Sequence, residues 1–375
     1  MDTICLEKLF RVGSGDGIAI GKLSSLGKYP VYGGNGVNGY TSQCNVSAGT
    51  MVIGRVGEKC GNVYITTTDS WVSDNALIVR KKEAYDDSYL RYLLEYTNLN
   101  DYANRNAQPV ISGRIIYNIE VPYTSDMRQQ QEIANTLSCF DTYIDDLAEL
   151  LEKKMSIRDG VLEDLVSGRT KLDAFSGEWK EYTIDDITQS VITGGTPSTS
   201  NPEYWGGNIP WLSSTEIHQK RITRPTTHIT ELGLQNSSSK IAPCRSVLIA
   251  LAGQGKTRGT VAYLTNPMAV NQSLAALVTN EKCNAEFLFY LIENMYLALR
   301  ELSSGDGGRG GLNKKLIKGI AVTIPVDVAE QEAIAAVLTA MDEEIEALET
   351  ERNKMIQIRE GAMDDLLTGR VRLIV

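Results

Sequence analysis

The sequence predicts an α+β fold built twice: two similar α/β globules related by a pseudo-twofold axis, each followed by a long helix, with the helices paired. Three observations predict it. The stretch Gln130–Leu172 recurs without a gap as Gln331–Leu373, 201 residues on. Within both copies apolar residues repeat in alternating steps of four and three, the spacing of a coiled-coil seam. Upstream of both copies, β-branched residues alternate and are punctuated by glycine, the pattern of strands and tight turns. The order is therefore globule 1–128, helix 129–173, globule 174–328, helix 329–375.

The first globule holds TMVIGRVGEKCGNVYITTTDSWVSDNALIV at 50–79, and the second holds VLIALAGQGKTRGTVAYLTNPMAVNQSLAALV at 247–278. Gly57, Gly61, Val63 and Val72 match Gly255, Gly259, Val261 and Val270 at an offset of 198, and YLRYLLEY (89–96) then matches FLFYLIEN (287–294). The second globule has a longer front end, so its loops differ from those of the first.

In the first helix the apolar positions are 133, 137, 140, 144, 147 and 151; in the second they are 334, 338, 341, 345 and 348. Pro122 and Pro325 lie upstream, where proline is tolerated, and Gly168 and Gly369 sit where a glycine stop belongs. A helix of ~38 residues is ~57 Å long. So narrow a stripe cannot stabilise so long a helix alone, and the simplest partner is the other copy. Arg158 and Arg359 fall inside the helices and read as structural or partner-facing.

With 375 residues, 42% hydrophobic and 22% charged, the chain has the composition of a soluble globular protein with several cores. No apolar run reaches the ~18 residues of a membrane span. MDTICLEKLFRVGSG lacks the basic start and long apolar stretch of a secretory signal. Cys5, Cys44, Cys60, Cys139, Cys244 and Cys283 form no CxxC pair, and His218 and His228 are the only histidines. This predicts buried thiols in a reducing cytoplasm, no metal site and no cofactor.

The net charge of −10 argues against a nucleic-acid partner when taken whole. Its distribution reverses that reading. The globules carry 0 (1–128) and +1 (174–328), whereas the helical segments carry −5 and −6. Acidic helices suit solvent or a protein partner; the neutral globules alone tolerate DNA.

The front of the second globule reads GGTPSTSNPEYWGGNIPWLSSTEI, Gly194 to Ile217. With it go the helix openings Gln130-Gln131-Glu132-Ile133-Ala134 and Glu330-Gln331-Glu332-Ala333-Ile334-Ala335, the endings LVSGRTKL and LLTGRVRL, and Phe175-Ser176-Gly177-Glu178-Trp179. On these residues nearly the whole chain resembles the specificity (S) subunit of type I restriction–modification enzymes. The matching family motifs are GxTP followed by YW-G-x-IPW, EQ-x-x-IA, L-x-x-G-[KR]-[IV]-[RK]-L and F-x-G-E-W. Two departures stand out. The first globule offers KYPVYGGNGVNGY (28–40) in place of GxTP…IPW, and Gln130 stands where the helix signature has glutamate. Base contacts therefore do not transfer from one globule to the other.

The resemblance implies that each globule is a target recognition domain reading one half of a bipartite double-stranded DNA sequence. The helices would form an antiparallel coiled coil that separates the halves, limiting half-site centres to about 17 base pairs at ~3.4 Å per pair. Two methyltransferase (M) subunits would dock on the helices, with restriction (R) subunits joining through the complex. They would supply the chemistry in the cytoplasm, and the chain itself would be non-catalytic.

Three stretches invite an enzyme reading. GQGKT (253–257) needs a glycine at Ala250 to be a nucleotide phosphate loop. NPEY (201–204) resembles an amino-methyltransferase motif, yet no glycine-rich cofactor loop precedes it, so it reads as a turn. GSGDG (13–17) lacks the GxGxxG spacing. Two other classes stay open on the residues alone: a coiled-coil scaffold without DNA reading, and a DNA methyltransferase with its own catalytic site.

Base reading calls for Arg, Lys, Asn, Gln, Ser or Thr at loop tips, and phosphate contacts for cations and free N–H groups. In the first globule this selects Tyr32, Asn35, Asn38, Arg55, Lys59, Arg105 and Arg114. In the second it selects Ser213, Ser214, Thr215, Lys256, Arg258, Arg309 and Lys314, with Arg309 at the tip of SSGDGGRGG (303–311). Trp205 and Trp211 read as core.

Overall fold

The structure, a computed structural model, describes residues 1–253, 255–303 and 311–373. It divides into two compact units, Met1–Glu149 with Glu349–Val375, and Leu150–Leu348. The division cuts through both long helices, Met127–Val166 and Val328–Thr368. Each unit thus holds one globule, the start of the helix that follows it and the end of the other helix.

In the first unit an antiparallel sheet runs in the order Phe10–Ser14, Ala76–Lys81, Met51–Gly54, Val63–Ile65. A smaller sheet orders Gly36–Thr41, Tyr29–Gly33 and Trp71–Val72. Asp2–Cys5 pairs with Glu120–Tyr123 just before the long helix. The helix Asp87–Thr97 starts at Asp86, whose carboxylate accepts the Tyr89 N–H at 2.9 Å. It buries Tyr89, Leu90, Tyr92, Leu93 and Leu94. Ile133 and Leu137 of the first long helix join this core, as do Met363, Leu366 and Leu367 of the second. Each buried leucine contributes roughly 1.5–3 kcal/mol, so the end of the second helix is anchored by apolar burial.

The second unit repeats the plan with additions. Its larger sheet orders Thr188–Thr193, Leu274–Thr279, Val247–Ala250, Val261–Leu264 and Arg221–Ile222. The other large sheet orders Thr227–Ile229, Trp205–Leu212, Met268–Val270 and Lys240–Ala242. Leu248 pairs with Ala276 as Val52 pairs with Ile78 in the first unit. Trp179–Thr183 pairs with Ala321–Pro325. The helix Ala285–Asn294 is buried among residues that include Ile334 and Leu338, with Leu162, Leu165 and Val166 from the end of the first long helix. The two α/β globules are therefore alike in plan, and the fold class is α+β.

Within each unit the long helices run antiparallel. In the first, Asp141 meets Arg359 and Tyr143 meets Glu351. In the second, Lys154 lies 2.6 Å from Glu344 and Arg158 lies 2.9 Å from Asp342. Ile133, Leu137, Ile144, Leu147 and Leu151 are buried along the predicted stripe, as are Ile334 and Leu338. Gly168 and Gly369 adopt φ of +71° and +76°, and the Thr170 and Val371 N–H groups close back on the carbonyls of Asp164 and Asp365. Both helices therefore end in the left-handed glycine cap that the sequence predicts.

The helix openings correct one detail of the sequence reading. Gln130 is not the substitute for the signature glutamate; it occupies the place of Gln331. The Gln130 carboxamide accepts the Asp86 N–H at 2.8 Å and donates to the Thr124 carbonyl at 2.7 Å. Gln331 accepts the Asn284 N–H at 2.7 Å and donates to the Pro325 carbonyl at 2.8 Å. Asp86 and Asn284 are the caps of the two globule helices. Each glutamine thus ties a long helix to the cap of the adjacent globule helix. Glu330 accepts the Trp179 indole N–H at 3.0 Å.

Trp211 is buried, and Trp205 meets it edge-on at 5.2 Å. Both belong to a small apolar cluster, as the sequence predicts. All six cysteines are free, but only Cys60 and Cys283 are buried; Cys44, Cys139 and Cys244 are exposed. Among the described residues no helix is long and apolar enough to cross a membrane.

Candidate nucleic-acid interface

In the first unit, the strands Tyr29–Gly33 and Gly36–Thr41 form a hairpin whose tip is Gly34-Asn35. A side chain at Gly34 would place its Cβ 2.0 Å from the Val56 carbonyl oxygen, and one at Gly54 would stand 2.4 Å from the Gly34 carbonyl. Glycine alone lets the tip lie on the 55–61 turn. This seats exposed Asn35 against the turn that carries Arg55 and Lys59. Val56 bridges Val110, and the Gly57 N–H donates to the Pro109 carbonyl at 2.9 Å. Segment 104–110, with exposed Arg105, thereby joins the same cluster. Arg105 donates to the Asn100 side-chain oxygen at 2.5 Å. Arg114 is exposed on the short helix Gly113–Tyr117, just after Ile111, whose N–H donates to the Arg55 carbonyl at 2.9 Å.

Asn38 is exposed on its strand. Tyr32 is not available: it is 7% exposed, packs among Val52, Val72, Ala76 and Ile78, and meets Tyr64 ring to ring. Burial pushes its hydroxyl above the ordinary tyrosine value. Its role is to support the hairpin from below.

In the second unit, Ser213 and Ser214 are half-buried and Thr215 is exposed at the start of the turn Ser214–Gln219. The Ser213 and Thr215 hydroxyls lie 2.6 Å apart. The same turn carries His218, whose Nε2 is 3.2 Å from the Thr257 hydroxyl. It therefore meets the loop that bears exposed Lys256 and half-buried Arg258. The Leu312 N–H donates to the Leu251 carbonyl at 3.1 Å, which brings exposed Lys314, on the helix Lys314–Lys318, to that loop's base. Arg309 lies outside the described residues.

Two residues escaped the sequence reading. His218 sits on an irregular turn with no repeat counterpart to mark it. Exposed Lys315 is the counterpart of Arg114 at the offset of 201, a signal that was present in the repeat.

GSGDG begins inside the strand Phe10–Ser14, and the other two stretches that invite an enzyme reading fall in connections. Residues 251–260 join the strand Val247–Ala250 to the strand Val261–Leu264, with positive φ at Gly253, Gly255 and Gly259. A nucleotide phosphate loop would run from a strand into a helix. NPEY forms the short turn Pro202–Tyr204, capped by Asn201.

Each unit also holds an ion network between a long helix pair and a globule helix. In the second unit Arg158 reaches Glu293 at 2.5 Å and Asp342 at 2.9 Å, and Tyr290 donates to Asp342 at 2.9 Å. In the first, Arg359 reaches Glu95 at 2.8 Å and Asp141 at 2.5 Å, and Tyr92 donates to Asp141 at 2.6 Å. Burial alone would raise the Asp141 carboxyl. Hydrogen bonds from Tyr92 and Arg359 outweigh it and hold it below the ordinary carboxylate value. Tyr92 is pushed up to about 12, chiefly by burial and then by Asp141.

Known proteins resemble this chain in sequence and in fold. Residues 1–154 and 176–357 match the family described as type I restriction modification DNA specificity domain. The specificity subunit of type I restriction enzyme MjaIX from Methanocaldococcus jannaschii is 30% identical over 182 residues; the match spans 47% of this chain but only 41% of that relative. The crystal structure of the type I restriction–modification S subunit from M. genitalium superposes with a TM-score of 0.69 at 20% identity, covering 98% of this chain and 96% of that one. A chain from a structural study of complex assembly in the type I R-M system gives 0.61 at 15% identity, covering 99% and 98%. The duplicated globules, each with a glycine-shaped loop cluster, and a family match that spans both of them lead to one assignment: this chain belongs to the type I restriction modification DNA specificity domain family.

Proposed function

We propose that the chain is the non-catalytic DNA-reading subunit of a cytoplasmic type I restriction–modification complex. Each globule reads one half of a bipartite target in double-stranded DNA, and the paired helices set the gap between the halves. The observation that carries this reading is the paired loop clusters. Asn35, Lys59 and Arg105 are exposed in one, Thr215, Lys256 and Lys314 in the other, and they are built on one plan from different residues. Like plans predict like docking; unlike residues predict unlike half-sites. Domain limits of 1–128 and 174–328 follow for the readers, with 129–173 and 329–375 as the spacer helices. The acidic helices suit docking of two methyltransferase subunits and, through them, restriction subunits, which supply the chemistry.

The test is to co-express the chain with its neighbouring methyltransferase subunit and map modified adenines by single-molecule sequencing. The reading predicts a two-part motif with a fixed gap. A stable complex that modifies no defined sequence would contradict it.

A further inference from the structure

The turns 55–61 and 255–259 occupy equivalent places and are tied down in the same way by different residues. In the first unit the Asn100 side-chain N–H group donates to the carbonyls of Glu58 at 3.0 Å and Cys60 at 2.6 Å. In the second, the Tyr296 hydroxyl donates to the Lys256 carbonyl at 2.9 Å, and Arg300 donates to the Gly255 carbonyl at 2.6 Å. Glu58 and Lys256 correspond at the offset of 198, so the same carbonyl is gripped twice. The gripping residues do not correspond: Asn100 aligns with Ala298, not with Tyr296 or Arg300. The shared fold alone does not supply the grip, because each unit makes it from a separate position.

The consequence follows from peptide geometry. Among the described residues every peptide is trans, so a carbonyl and the next N–H point in opposite directions. A carbonyl drawn toward the globule at 58 or 256 turns the N–H of Lys59 or Thr257 away from it. Gripping Gly255 does the same for the Lys256 N–H. Among the described residues none of these three N–H groups has an acceptor. Lys59 and Lys256 are also exposed. The first turn therefore offers one outward N–H donor and the second two, each turn with an exposed lysine, the chemistry that holds a phosphate.

We propose that the turns at Glu58-Lys59 and Lys256-Thr257 are backbone phosphate clamps for DNA, and that Asn100 and the pair Tyr296 and Arg300 are their positioning residues. This rests on the DNA-reading proposal and deepens it by naming where the sugar–phosphate strand is held. A clamp of this kind contributes affinity without sequence preference, which leaves base reading to neighbours such as Asn35 and Thr215.

The experiment measures equilibrium binding of the chain, co-purified with its methyltransferase partners, to its mapped target duplex and to an unrelated duplex across a salt series. Tyr296→Phe removes one hydroxyl and keeps the ring, and Arg300→Met removes the second donor. The double variant is expected to bind both duplexes about three- to tenfold more weakly, with their ratio unchanged. The slope of log affinity against log salt should fall by about one. Arg300→Lys, which keeps a donor, should recover part of the loss. Unchanged affinity and slope in the double variant would overturn the clamp while leaving the DNA-reading proposal standing. Equal affinity of the unsubstituted complex for both duplexes would bring down the DNA-reading proposal, and the double variant's affinity and slope would still decide the clamp.

Discussion

Arg158 Nε stands 2.9 Å from Asp342 Oδ1, an ion pair between one long helix and the other. Arg359 and Asp141, their counterparts at the offset of 201, make the same pair in the other unit. Each arginine thus binds the aspartate of the opposite repeat and a glutamate of the globule it meets. The two pairs differ in burial. Arg158 is 5% exposed with partners near 20%, whereas Arg359 is 15% exposed with partners at 30–40%. Arg158→Ala leaves the largely buried Glu293 and Asp342 carboxylates with exposed Lys220 3.3 Å and 3.9 Å away and should cost about 3 kcal/mol. Arg359→Ala should cost about 1–2 kcal/mol, because water screens the groups left behind. Denaturant unfolding of both variants checks the order; equal losses would contradict it.

The pH dependence of the first unit has a definite sign. The Asp141 carboxyl lies below its ordinary value of 3.8. Its contribution is complete above the unfolded value and is lost as pH falls through the folded one. Thermal melts between pH 7 and pH 3 should show the unit weakening at the acid end. Asp141→Asn should be less stable at neutral pH and show a shallower acid decline. An identical acid decline in the variant would refute this role.

Gln130 and Gln331 are fully buried, and each satisfies the N–H of a helix cap and a carbonyl before its own helix. Replacing either with alanine leaves those groups unpaired in the interior, at a cost of about 2–3 kcal/mol. Hydrogen exchange should report it locally: the Asp86 amide should lose protection in Gln130→Ala, and the Asn284 amide in Gln331→Ala. Protection retained at those amides would show that the glutamines are dispensable.

Gly34→Ala tests the first loop cluster. The new methyl would stand 2.0 Å from the Val56 carbonyl oxygen, so the hairpin tip must lift from the turn. Modification mapping should show relaxed reading of one half of the target, with the other half and the gap intact. Unaltered reading of both halves would remove Asn35 and the hairpin tip from the interface.

The helices were legible because the apolar positions 133, 137, 140, 144, 147 and 151 obey one period, and because Gly168 and Gly369 can take the left-handed cap that other residues resist. The strands were legible through glycine spacing: Gly61 and Gly259 both adopt positive φ. Tyr32 was misjudged because a tyrosine beside a glycine turn looks the same whether its ring lies over the sheet or under it. The exchange of helix ends between repeats was hidden for a different reason. Leu162, Leu165 and Val166 lie beyond the last predicted seam position, 151, and nothing local says which globule they enter. The gapless repeat already pairs Gln130 with Gln331, against its reading as the signature glutamate's substitute, and the hydrogen bonds to Asp86 and Thr124 agree with the repeat.

The most direct test of the account is the modification map of a chimaera in which residues 174–328 are replaced by the corresponding domain of another family member. The account predicts that one half of the bipartite motif changes to the donor's, while the other half and the gap between them stay as they were. A motif that changes in both halves, or does not change at all, would show that the globules do not read DNA as independent units.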